Sequence, residues 1–165
     1  MPRVTPAQTI GPFFSGALCR KGEERLAEPG SAGAVELSGR VRDGEGQPVS
    51  DALLELWLRD ARGGAFGRAA TDAAGEFRFV VRKPAGIVPH APHILVSVFA
   101  RGLLHRLVTR IYFPDEAVAN AADPLLRSIA DPARQARLVA RAEADGALRF
   151  DVVLQGEGET PFLDV

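Results

Sequence analysis

The chain has 165 residues, 46% of them hydrophobic and 25% charged, and a net charge of −1. That length suits one domain able to bury its own core, and the composition is that of an ordinary soluble globular protein. The near-neutral charge, with no basic face, excludes a nucleic-acid surface. The longest apolar run, ILVSVFA at 94–100, is far short of the ~20 residues of a membrane-spanning helix.

The opening residues, MPRVTPAQTIGPFF, lack the apolar core of a signal peptide, so none is expected. The single cysteine, Cys19, excludes an intrachain disulfide and a multi-cysteine zinc site. A reduced, cytoplasmic setting is the expectation. Residues 1–33 are rich in Pro, Gly and Ser without a long periodic run. They read as an extended arm whose Ile10, Phe13, Phe14 and Leu18 need another surface to lie on. The rest, 34–165, reads as one β-sandwich domain.

The β pattern starts with VELSGRVRD (35–43), which alternates and ends at Asp43-Gly44. ALLELWLRD (52–60) puts Leu54, Leu56 and Leu58 on one face and Leu53, Glu55 and Trp57 on the other. GAFGRAATDAAGEFRFVVR (64–82) reads as a loop, a turn over 72–75, and a strand carrying Phe77, Phe79 and Val81. HILVSVFAR and LLHRLVTRIYF are two apolar runs parted by a turn at Gly102, and LRFDVVL (148–154) closes the set. Strands spaced this evenly predict an all-β sandwich. One helical insertion, about 115–145, is divided by Pro124 and Pro132, each preceded by an Asp in N-cap position (Asp123 and Asp131).

Candidate chemistry is sparse. His90 and His93 sit three apart beside a strand, but the next side chain on the face of His93 is Leu95, which cannot bind metal. His93 therefore reads as structural rather than as a ligand, and His105 as a strand-surface or interface residue. Arg101, at a strand end before Gly102, is placed to grip a carboxylate or a neighbouring loop; a solvated arginine is the plain alternative. TIGPF (9–13) joins a hydroxyl, a glycine and a proline in a stiff turn able to present peptide groups to a ligand. Glu157 and Glu159 lie in a glycine-rich stretch that reads as surface loop. No G-x-S-x-G elbow, P-loop or H-E-x-x-H occurs.

Several stretches together resemble one family. TPAQTIGPFF, GRVRDGEGQPVSDALLELW, TDAAGEFRF, PHILVSVFARGLL, TRIYFPDEA and RFDVVLQGEGETPFLDV are similar to the α subunits of protocatechuate 3,4-dioxygenases, within the intradiol ring-cleavage dioxygenases. The similarity runs from about residue 5 to the C-terminus.

The resemblance implies a β-sandwich and an O₂-dependent cleavage of protocatechuate to 3-carboxy-cis,cis-muconate in the β-ketoadipate pathway. It implies a non-haem Fe(III) held by two tyrosines and by two histidines of a P-x-H-I-H strand. Here that strand reads APHIL, with His93 at the first histidine position and Leu95 at the second. The tyrosine positions fall near GGAF (63–66) and KPAGIVP (83–89), and neither contains Tyr. The resemblance thus implies that His93 is vestigial and that iron belongs to a homologous, obligate β subunit in a higher-order αβ assembly. No catalytic or metal-binding residue is expected in this chain, which would be inactive alone.

As substrate-pocket residues the resemblance implies Thr9, Gly11, Pro12, Phe13 and Arg101, which would line the pocket above the partner's iron. Family members often carry Tyr where this chain has Phe13, so Phe13 would serve by shape. A transthyretin-like or carboxypeptidase-regulatory-like binding module is the alternative reading of the same strand pattern, though it would need neither the TIGPF arm nor IYFPDEA. A self-sufficient homomeric dioxygenase would need the missing tyrosines.

Overall fold

The computed structural model describes residues 4–11, 14–60 and 63–164. Nine strands make two sheets. The first holds β1 (Ala34–Arg42), β4 (Glu76–Arg82), β7 (Arg141–Ala142), β8 (Leu148–Arg149) and β9 (Val152–Val153). Its path is β4-β1-β8-β7, with β9 also pairing β1. The second is ordered β3-β2-β5-β6, from β2 (Leu53–Asp60), β3 (Gly63–Ala70), β5 (His93–Phe99) and β6 (Leu107–Tyr112). The expected all-β sandwich with a helical insertion is what the chain forms.

Alternation builds the core. Leu37 and Val41 of β1, Leu54, Leu56 and Leu58 of β2, Phe77, Phe79 and Val81 of β4, and Ile94, Val96 and Val98 of β5 form one buried cluster. Each such side chain contributes about 1.5–3 kcal/mol of hydrophobic stabilisation. Gly39 is paired with Phe77 across β1 and β4. A Cβ there would collide with the carbonyl oxygen of Phe150 and lie 2.6 Å from the Phe77 ring. The missing side chain is what lets both aromatic residues enter the core.

Three readings of the sequence need correction. Residues 63–70 form β3, not a loop, in an eight-pair antiparallel register with β2. Gly63, Gly64 and Ala65 carry no strand pattern, but backbone pairing and the packing of Phe66 against Trp57 (ring centroids 4.4 Å apart) hold the strand. The run 148–154 splits into β8 and β9, both parallel to β1. The insertion ends early: after α2 (Ala117–Ala122), α3 (Pro124–Ser128) and α4 (Pro132–Ala136), the chain returns to β structure at β7. Asp123 and Asp131 cap α3 and α4 as expected, each with Pro at the start of its helix.

The sandwich edges are closed by chain that spans the two sheets. The second half of the arm lies on its own sandwich: Arg68 of β3 donates N–H to the Glu23 carbonyl (3.0 Å), and Val80 of β4 to that of Glu24 (3.0 Å). Leu26 packs on the main core and fills the space that the bare Gly67 leaves. At the opposite edge, Tyr112 of β6 donates to the Leu138 carbonyl (2.8 Å) and accepts from Ala140 N–H (2.9 Å). There the C-terminal stretch also folds back, with Thr109 donating to the Pro161 carbonyl at 2.8 Å and Leu163 N–H to that of Val108 at 2.7 Å. Paired edges of this kind offer no template for a further strand.

A buried polar knot ties the insertion to the start of β5. Asp123 has no solvent exposure. Its carboxylate accepts from Ala91 N–H (2.9 Å), Leu125 N–H (2.8 Å), Leu126 N–H (3.3 Å) and the Tyr112 hydroxyl (3.1 Å). His90 Nδ1 lies 3.3 Å from the same carboxylate and 3.2 Å from Arg110 Nη1. Burial pushes the Asp123 pKa up, but these donors outweigh it and hold the carboxyl below its ordinary value.

Two tests follow from this packing. Gly39→Ala will destabilise the fold by about 3 kcal/mol or more in chemical denaturation. Gly16→Ala, in α1 (Phe14–Leu18), meets nothing within 4 Å and will stay within about 1 kcal/mol; similar losses for both would refute the collision. For Asp123 the folded pKa lies below the unfolded one. Its contribution is therefore complete above about pH 4 and disappears as pH falls through the folded value. Asp123→Asn will cost about 1–3 kcal/mol at neutral pH and flatten the acid limb of the stability–pH curve; parallel curves would show that the carboxylate is not the group responsible.

Candidate functional site

Two places in the second sheet concentrate the residues singled out in the sequence. They occupy opposite ends of the β2–β5 strand pair. The register pairs Leu53 with Phe99 and Trp57 with Leu95. Extended outward, it sets Asp51 opposite Arg101 at one end and Arg59 opposite His93 at the other. At about 3.3 Å per residue, the two ends lie ~26 Å apart.

At the first end, β5 runs into a tight turn with Gly102 at φ 90, a conformation that glycine adopts without strain. Arg101 donates from Nε to the Asp51 carboxylate. Its side chain is otherwise open, at 60% exposure. With Nε engaged, the Nη1 and Nη2 edge of the guanidinium remains for a second anion, a geometry suited to a carboxylate. The arm arrives at the same turn: Thr9 Oγ1 accepts Gly102 N–H at 2.7 Å. Gly11 follows on the exposed side and accepts Phe14 N–H at 3.3 Å. Thr9, Gly11 and Arg101 are thus brought to one region, while Pro12 and Phe13 lie outside the described residues.

Asp51 was missed in the sequence. It sits before β2 in a turn-like PVSDA stretch, where an acidic residue looks like ordinary turn chemistry. Only the β2–β5 register turns it into the neighbour of Arg101.

At the second end lies a cleft of about 520 Å³. Its lining includes Gly63, Gly64, Ala85, Ile87, His93 and Leu95. These belong to the three stretches where the resemblance locates the family's four iron ligands, so the fold does bring those stretches together. Trp57 closes one side and is 51% exposed. Among the described lining residues His93 alone has a ligating side chain. Its Nδ1 donates to the Ala91 carbonyl at 2.8 Å. Burial pushes its pKa down, the Ala91 bond opposes this, and the Arg110 guanidinium lowers it further. The ring is neutral at neutral pH, with the proton on Nδ1.

Tyr112, the one tyrosine in the sequence, cannot make up the set. It is fully buried in β6, and burial pushes its hydroxyl up to about 12, against the pull of Arg110. It remains a phenol at working pH. Among the described residues no group of three or more His, Cys, Asp or Glu is arranged to hold a metal. A ferric ion with two phenolate and two imidazole ligands does not fit this cleft. His105 proves to lie in the exposed connection between β5 and β6 instead of on a strand, and Glu157 is exposed in a loop, as expected.

No family model matches the chain. It is 43% identical to the protocatechuate 3,4-dioxygenase alpha chain of Pseudomonas putida, over 97% of this chain and 96% of that one. It is 40% identical to the alpha chain of Burkholderia cepacia, over 99% and 98%. It is 34% identical to the beta chain from the same organism, over 77% of this chain and 66% of that one.

Among solved structures, the dioxygenase domain of a dioxygenase–carbohydrate-binding fusion from Streptomyces sp. SirexAA-E matches 92% of this chain and 99% of its own. Its TM-score is 0.59 at 25% identity. An intradiol ring-cleavage dioxygenase from Tetranychus urticae matches 84% and 88% with TM-score 0.62, and at 12% identity it speaks to the fold alone. With near-full-length identity to two alpha chains and a sandwich that superposes on ring-cleavage enzymes, the chain belongs to the protocatechuate 3,4-dioxygenase alpha-chain family of intradiol dioxygenases.

Proposed function

We propose that this chain is the non-iron-binding subunit of a cytoplasmic protocatechuate 3,4-dioxygenase and completes the substrate pocket of a homologous β subunit. One observation carries the reading. The stretches that would hold iron converge on a cleft with a single ligating side chain among the described residues, while the far end of the same strand pair presents a cation held by Asp51 and flanked by the arm. The similarity to a beta chain supports a partner built on the same sandwich. That partner would hold the non-haem Fe(III), which supplies the O₂-dependent ring cleavage. The first half of the arm is assigned to contacts with it, above all 4–11, where Val4 is 92% exposed, while residues 23–27 lie on this chain's own sandwich.

In this reading Arg101 binds the carboxylate of protocatechuate. Arg stays charged at any working pH. Asp51 fixes the direction of the guanidinium, so less side-chain freedom is lost when the substrate arrives. Thr9 holds the arm to the turn, which brings Gly11 to the pocket wall. The cation acts on binding and orientation and leaves the iron untouched.

The test is made in the assembled αβ enzyme. Arg101→Ala keeps iron content and visible colour but lowers kcat/KM for protocatechuate about tenfold to a hundredfold, as expected for one charge-assisted hydrogen bond of ~1.5–3 kcal/mol. Catechol, without the carboxylate, loses less. Asp51→Asn gives a smaller loss, mainly in KM. Equal losses for both substrates would mean that Arg101 supports the pocket's shape and does not read the carboxylate. The chain purified alone is colourless and inactive; stoichiometric iron in it would overturn the reading.

A further inference from the structure

The sheet that carries β1, β7 and β8 holds a second constellation, unrelated to either end of the β2–β5 pair. Four arginines ring a cleft of about 360 Å³, within the size range of small-molecule sites. Arg42 ends β1, Arg141 opens β7, Arg149 closes β8 and Arg137 caps the C-terminus of α4. Asp151 is the only carboxylate residue among the described lining residues.

Asp151 is itself fully engaged. Its Oδ1 accepts from Arg40 N–H and forms an ion pair with Arg149 Nη2, both at 3.0 Å. Its Oδ2 accepts from Arg141 Nη2 at 3.0 Å. One negative charge therefore spans two guanidiniums and locks their direction. Among the described residues the other two have no counter-charge. Arg137 Nη1 reaches only the carbonyl oxygen of Glu159, at 3.3 Å. The Arg42 side chain, half-buried, makes no hydrogen bond or ion pair among the described residues.

Like charges gathered around one concavity repel each other, and the walls of a cleft focus their potential outward. A solvated surface would spread such residues or interleave them with acids. The nearby acids Glu143, Asp145 and Glu157 are exposed and do not line the cleft. The buried hydroxyl of Thr160 donates nothing to it and serves the fold by accepting Val153 N–H at 2.9 Å.

We propose that this cleft binds a small polyanion through its oxyanion groups, a phosphate or a polycarboxylate, held between Arg42 and Arg137. Arg141 and Arg149, pre-oriented by Asp151, supply the remaining field. The site lies on the other sheet from Arg101 and stands whether or not Arg101 reads a substrate carboxylate.

The experiment uses the αβ complex and isothermal titration calorimetry with inorganic phosphate and with citrate, at constant ionic strength set by chloride. One saturable site per copy of this chain is expected. The double variant Arg42→Gln, Arg137→Gln removes the two unpaired cations without stranding Asp151. It should weaken binding about tenfold or more and leave ring cleavage unchanged in anion-free buffer. Binding of phosphate alone identifies a compact tetrahedral anion, and binding of citrate alone a polycarboxylate; either supports the site. Absence of saturable heat with both anions overturns it, as does equal affinity in the double variant. So does loss of αβ assembly in that variant, which would assign the arginines to a partner's acidic side chain.

Discussion

The antiparallel pairing of β2 with β5 is the constraint on which the rest of the molecule depends. These are the two inner strands of their sheet, and their inward side chains, Leu54, Leu56, Val96 and Val98, are fully buried. A slip of one residue would turn that whole set out of the core, so the register is strongly specified. The chemistry at both ends of this strand pair then follows from position along it. Asp51 meets Arg101 because the pairing continues past Leu53 and Phe99, and the cleft forms where Trp57 meets Leu95 and the chain passes His93.

Around this frame the two ends of the strand pair differ in chemistry. The end with His93 has the shape of a ligand cleft and lacks its donors. Gly63, Gly64, Ala85 and Ile87 give it an uncharged lining, and Arg59 is the charged side chain among its described lining residues. The end with Arg101 is the reverse: a cation kept half in solvent, with one donor engaged by Asp51 and its outer edge free. That arrangement contributes little to this chain's own stability, since exposed ion pairs are worth about 0–1 kcal/mol.

The Asp123 knot shows how the helical insertion is tied into the same design. A buried carboxylate without donors would be costly; here it accepts from three backbone N–H groups and the Tyr112 hydroxyl. Its Oδ1 caps α3 and its Oδ2 holds Ala91, two residues ahead of His93. The insertion thereby fixes the entry to β5, and with it the residues that face the cleft.

Read alone, the sequence determined what depends on local periodicity and turn chemistry. The alternating runs of β1, β2, β4, β5 and β6 are legible because side chains alternate across a strand, and the Asp-Pro starts of α3 and α4 because capping is local. The absence of tyrosine from 63–66 and 83–89 is legible in the same way. The tertiary structure decided what depends on partners distant in the chain. β3 carries no pattern of its own and exists because β2 offers a free edge. β8 and β9 are too short to announce themselves and are held by β1. Asp51 and Arg101 lie fifty residues apart, and only the strand register brings them together. The arginine cleft gathers residues from 42 to 149 that no window of sequence contains. Hydrogen-bonded pairing between strands is a property of two segments at once, so neither segment alone encodes it.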